Sequence, residues 1–148
     1  MDEPLPVTDP LALESQICFA LSVASRGVIA AYRPVLEPLK LTHPQYLVML
    51  ALWQHAPLSL KDLAGRLHME PATLSPLTKR LEALGYVQRA KNPDDGRGLA
   101  LSLTEQGRTL RQRAEQVPVE MMQRLQMDEG ELKDLHRLMT TLMQRVHP

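Results

Sequence analysis

At 148 residues the chain has the length of one domain with room for a core, and its 44% hydrophobic and 23% charged residues exclude a disordered chain. A formal net charge of zero, from 17 basic and 17 acidic residues, gives no global pull toward nucleic acid, so any such preference must lie in how the charge is distributed. Asp2, Glu3, Asp9 and Glu14 with no Lys or Arg in the first twenty residues oppose a targeting peptide, no apolar run reaches bilayer length, and a single cysteine excludes an intrachain disulfide. The expected location is cytoplasmic, with no membrane partner. The five aromatics are Phe19, Tyr32, Tyr46, Trp53 and Tyr86. A core must therefore come from Leu, Val, Ala and Met, residues that suit helices better than a large sheet.

In chain order, Asp9-Pro10 reads as a helix start, with an apolar stripe Leu13, Ile17, Leu21, Ala24 and Val28 running to about Tyr32 before Pro34 and Pro38 interrupt it. Thr42 to Tyr46 opens a second helix that ends near His55-Ala56-Pro57. Ser59 caps a short third helix, Leu60 to Leu67, and His68-Met69-Glu70 connects it to a fourth that begins at Pro71 and stops at Gly85. Tyr86 to Arg89 and Leu99 to Leu103 read as two strands around the turn Asn92-Pro93-Asp94-Asp95-Gly96. Thr104 caps a further helix. Beyond it lie two more apolar stripes, one of Val117, Met121, Met122 and Leu125 and one of Leu132, Leu135, Leu138, Met139, Leu142 and Val146, with a break at Asp128-Glu129-Gly130.

Two short helices, a three-residue turn, a hairpin and flanking cations describe a winged helix-turn-helix: a mainly α fold with a small β-hairpin wing. Between Lys79 and Arg113 eight basic residues face four acidic ones. The helix from Pro71 to Leu84 is slim enough for a major groove of double-stranded DNA. On it Thr73 and Ser75 offer hydroxyls to base edges or phosphates, and Thr78, Lys79 and Arg80 follow toward the backbone. Arg97 at the hairpin tip is placed to enter the minor groove, steadied by Asp95. The terminal stripes belong to no compact part of this module, so packing on a twofold mate would bury them; such a homodimer reads a near-palindromic operator with half-sites about one helical turn apart.

Leu60-Lys61-Asp62-Leu63-Ala64, the run Leu77 to Val87, Asp94-Asp95-Gly96-Arg97 and Leu103-Thr104-Glu105-Gln106-Gly107 together resemble the MarR family of bacterial regulators. The resemblance covers nearly the whole chain. It implies one MarR-like domain over 1–148, with dimerisation helices at about 10–56 and 105–148 and a DNA-binding lobe at about 57–104. The expected role is a DNA-binding transcriptional regulator, not an enzyme, with no cofactor.

Cys18 stands among apolar residues, where a lone cysteine ordinarily serves as a small core hydrophobe. In a helix that starts at Asp9 it lies near the third turn, too far along to gain much from the helix dipole. However, Glu14 to Leu21, Ala24-Ser25-Arg26, Tyr32-Arg33-Pro34 and Leu41 to Tyr46 resemble the organic hydroperoxide regulators within the MarR family. That resemblance implies a repressor released from DNA when Cys18 is oxidised to a sulfenic acid. It also implies tyrosines that hydrogen-bond the sulfur, some of them from the partner subunit, with Tyr32 matching one of them. Ser22 and His43 stand where this group has two further tyrosines. Ser22, one turn after Cys18, can face the sulfur, and a protonated His43 would stabilise a thiolate if the two meet. A mixed disulfide between Cys18 and a low-molecular-weight thiol is a further fate.

The alternative within the same fold is release by a small aromatic or metabolite ligand bound between the dimerisation and DNA-binding lobes. His43, His55, His68, His136 and His147 show no metal-ligand spacing, and no metal is expected. A thiol peroxidase would need a base and a resolving thiol and would leave the DNA-binding motifs unexplained.

Overall fold

A computed structural model describes residues 9–91 and 98–148 of the chain. The helices are α1 (Ile17–Leu36), α2 (His43–His55), α3 (Leu60–Leu67), α4 (Pro71–Ala83), α5 (Glu105–Ala114), α6 (Gln116–Leu125) and α7 (Glu129–Val146). The strands are β1 (Leu58–Ser59), β2 (Val87–Lys91) and β3 (Leu99–Leu103), in one antiparallel sheet of order β1-β3-β2. The register runs from Val87 opposite Leu103 to Lys91 opposite Leu99, and β1 sets Leu58 opposite Leu101. The expected mainly α winged helix-turn-helix is therefore the fold, with the two-residue β1 an addition that no alternation pattern could signal.

Local chemistry sets most boundaries. Thr42 accepts from the Gln45 amide while the Gln45 side chain accepts from the Thr42 N–H, a reciprocal cap on α2. Ser59, Thr104 and Asp128 cap α3, α5 and α7 in the same manner, each accepting from the backbone N–H three residues on. Gly85, at φ +85, ends the α4 segment in a conformation costly for any residue with a Cβ. Residues that read as a break between stripes, Asp128 and Glu129, are thus the cap and first residue of α7.

The second strand runs Val87–Lys91 where Tyr86 to Arg89 was expected, and α1 differs from expectation at both of its boundaries. The helix begins at Ile17, not at Pro10. Asp9 accepts from the Leu11 N–H in a turn, and the Gln16 amide donates to the carbonyls of Pro10 and Ala12, diverting groups that a continuous helix would use. Pro34 does not interrupt the helix, which continues to Leu36. The proline costs roughly 3 kcal/mol. The helical residues beyond it, Val35 and Leu36, are both buried, and burial of such side chains contributes about 1.5–3 kcal/mol each, which offsets that cost.

The core lies where the C-terminal end of α1 meets α2, α3 and α4, and it includes Leu36, Val48, Met49, Leu52, Leu63, Leu74 and Leu81. The sheet covers it with Val87 and Leu101, while Val117 and Met121 of α6 close the other side. Trp53 Nε1 donates to the Gly107 carbonyl at 2.9 Å, joining α2 to α5. A Cβ on Gly107 would collide with the Tyr86 carbonyl, so this close approach requires glycine. In contrast, α7 buries no residue, and the N-terminal part of α1 leaves Ile17, Phe19, Val23 and Ile29 exposed.

Candidate DNA-binding face and cysteine site

The α4 helix has a buried side and a free side. Leu74, Thr78 and Leu81 recur at helical spacing and are fully buried, which turns Ala72, Thr73, Pro76, Lys79 and Arg80 outward. Ser75 is half-buried. Thr78 departs from expectation. Its hydroxyl donates to the Ser75 carbonyl at 2.9 Å and accepts from Arg89 Nη2 at 3.3 Å, so it braces α4 against β2 and cannot reach DNA.

The local cation excess shrinks once partners are assigned. Arg89 pairs with Glu82 at 2.7 Å and Arg111 with Glu115 at 2.7 Å. Arg108 donates to the Leu103 carbonyl and Arg113 to that of Pro38. Among the described residues Lys79, Arg80, Lys91, Arg108 and Arg113 make no ion pair; the two α5 arginines are held on backbone carbonyls, which orient them without neutralising their charge, and the side chains of Lys79, Arg80 and Lys91 are given no such anchor. Asp95 and Arg97 lie outside the described residues. Tyr86 is buried and donates from its hydroxyl to the Leu39 carbonyl at 2.9 Å, tying the wing to the α1–α2 connection.

Cys18 is exposed and is the second residue of α1, not a third-turn or core residue, because the helix starts at Ile17. Among the described residues no side chain caps this terminus, so the N–H groups of the first turn face outward there, where the dipole favours negative charge. Ser22 follows one turn later and is also exposed. Tyr32 and His43 are elsewhere. Their rings meet at 5.0 Å, and Tyr46 joins Tyr32 at 5.8 Å, forming an aromatic cluster where α1 meets α2. At about 1.5 Å per residue, the length of α1 from Cys18 to Tyr32 is roughly 21 Å, so one chain cannot bring this cluster to its own sulfur.

Partial burial sets the protonation of the cluster. Desolvation lowers the His43 pKa from 6.5, so at neutral pH the ring is uncharged and the thiolate-stabilising imidazolium expected from the sequence is not available there. Desolvation raises both tyrosines, and for Tyr46 repulsion from Tyr32 adds to it. All three groups can therefore act as neutral hydrogen-bond donors. Tyr46 is the member that sequence reasoning missed; its position three residues after His43 on α2 was the available signal.

A recognition helix with a free polar and cationic side, held against a sheet by Thr78 and Arg89, defines a winged helix-turn-helix DNA-binding protein. The MarR family pattern matches residues 41–99. The chain is 35% identical to the organic hydroperoxide resistance transcriptional regulator of Bacillus subtilis (strain 168), over 94% of this chain and 95% of that one. AbfR of Staphylococcus epidermidis superposes with TM-score 0.73 at 30% identity, covering 92% and 95% of the two chains. AbfR has also been solved reduced and bound to DNA, and in a disulfide-formed state. CouR of Rhodococcus jostii RHA1, bound to p-coumaroyl-CoA, superposes with TM-score 0.79 at 26% identity, covering 93% and 96%. The chain belongs to the MarR family and is a DNA-binding transcriptional regulator, not an enzyme.

Proposed function

We propose that this regulator is a homodimeric repressor, formed by the single domain 1–148, that leaves its near-palindromic operator when Cys18 is oxidised. The observation that carries this reading is the placement of Cys18: exposed, in the first turn of α1, beside apolar residues that have no cover among the described residues. A second copy packed on that face would cover Ile17, Val23 and the α7 stripe, and is the only source of Tyr32 and His43 for the sulfur. Similarity to a hydroperoxide resistance regulator supports the choice of oxidant.

The chemistry balances without a cofactor. The thiolate attacks the terminal oxygen of an organic hydroperoxide, the O–O bond breaks, and sulfur gains OH as the sulfenic acid while alkoxide leaves and takes a proton to become the alcohol. A neutral phenol is a suitable donor for that proton. With no second cysteine in the chain, the sulfenic acid then persists, condenses with a small thiol, or meets a symmetry-related Cys18. On the DNA side, Thr73, Ser75, Lys79 and Arg80 are the α4 contacts, with Asp95 and Arg97 serving the wing.

The test is affinity for the chain's own upstream DNA at fixed salt, before and after cumene hydroperoxide, in the wild type and in Cys18→Ser. Release of the wild type alone supports the reading; retention by both proteins refutes oxidation as the signal.

One observation favours a second reading. A cavity of about 470 Å³ between α1, α2 and α4 is lined by Arg33, Lys40 and Arg80 against the single acid Glu37, together with Ile29 and Leu41. Such a mixture suits an anionic aromatic or metabolite ligand, and CouR was solved with an acyl-CoA thioester. Ligand-driven release that survives Cys18→Ser would establish it.

A further inference from the structure

We propose that His68 and His147 form a binding site for a borderline divalent transition-metal cation of the Cu²⁺, Ni²⁺ and Zn²⁺ class. Far apart in sequence, the two imidazoles meet with ring centroids 4.9 Å apart and planes tilted by 38°. Each is mounted on ordered backbone. His68 ends α3 at φ 52, with its N–H on the carbonyls of Ala64 and Gly65. His147 closes α7, its N–H on the Met143 carbonyl at 2.9 Å.

Packing does not account for the pair. Both residues are exposed, and neither ring makes a hydrogen bond or ion pair among the described residues. The ring separation does fit a shared ion. Two imidazoles held by one tetrahedral ion at about 2.0–2.1 Å place their centroids about 5 Å apart. Rotation about the broad χ2 torsion of each ring can turn one nitrogen of each toward a common ion. Imidazole nitrogens select the borderline metals over Mg²⁺ or Ca²⁺.

No group of three or more His, Cys, Asp or Glu among the described residues surrounds a common point. Water therefore completes the coordination, and the ion exchanges readily. His55 and Arg66 line the same hollow, of about 390 Å³, as His68; the Arg66 cation weakens binding further. The location matters for the regulator. His68 opens the turn that aims α4, and His147 ends the otherwise unburied α7, so an ion held by both ties the C-terminal helix to the helix-turn-helix.

The test is calorimetric titration of the full chain, in a Cys18→Ser background to remove the thiol as a competing ligand, with CuCl₂, NiCl₂, ZnCl₂ and MgCl₂. The three transition metals should bind, Cu²⁺ most tightly, with Mg²⁺ silent. His68→Asn, a residue that tolerates the left-handed backbone, and His147→Gln should each weaken Zn²⁺ binding at least tenfold, and His136→Gln by less than twofold. Absence of binding by all three metals, or equal affinity in the parent and both variants, overturns the proposal. Should His68→Asn fold poorly by circular dichroism, His147→Gln decides alone, since it lies beyond the last helix. The site stands or falls independently of oxidation at Cys18.

Discussion

His43 shows how one side chain combines a local role with a longer-range one: it begins α2 and also supplies a ring to the Tyr32 cluster. Because burial lowers its folded pKa below 6.5, the unfolded chain binds the proton more readily. This contribution to stability is full above about pH 6.5 and is lost as pH falls through the folded value. Denaturant midpoints measured from pH 7.5 to 5 should fall more steeply in the wild type than in His43→Gln; parallel curves would remove the residue from the pH response. Gly107 belongs to the same scale. Its missing Cβ lets α5 touch the Tyr86 backbone, so Gly107→Ala should destabilise the fold by about 1–3 kcal/mol in urea titration.

Among the elements, α4 divides its work between two sides. Thr78 and Arg89 fix the helix on the hairpin, while Lys79 and Arg80 face outward. Lys79→Ala and Arg80→Ala should each weaken DNA binding about equally on all sequences and reduce the salt slope by about 1 if each meets one phosphate. Thr78→Val should behave differently. It leaves the Ser75 carbonyl and Arg89 short of a partner and should lower stability by about 1–3 kcal/mol, without changing the salt slope of the folded protein. A change in slope for Thr78→Val would mean that its hydroxyl reaches DNA after all.

For the molecule as a whole, the described residues leave large apolar side chains exposed on two helices: Ile17 and Val23 on α1, and Leu135, Leu138, Met143 and Val146 on α7. Exposed apolar surface of this kind marks an association site. Leu138, 54% exposed, is the central probe. Leu138→Glu should yield a monomer by sedimentation velocity and a large loss of operator affinity, because one lobe reads only one half-site. A dimer that persists with Leu138→Glu at micromolar concentration would place the interface elsewhere.

Much of this architecture was legible in the residues themselves. Thr42 with Gln45, Ser59, Thr104 and Gly85 mark helix ends through bonds and backbone preferences that span only a few residues, so local chemistry suffices to place α2 to α5 and the hairpin. Spacing tells which side chains share a face, however, and not what covers that face. Only the tertiary structure decided that Thr78 is buried against Arg89, that α1 runs through Pro34 to bury Leu36, and that Leu58 pairs with Leu101 in a strand too short to show alternation. It also moved Cys18 into the first turn of α1 and gathered Tyr32, His43 and Tyr46 roughly 21 Å away. The place of Cys18 follows from the local bonds of Asp9 and Gln16 that delay the helix start; the other positions follow from contacts between segments far apart in the chain, where the free energy of burial outweighs local preference.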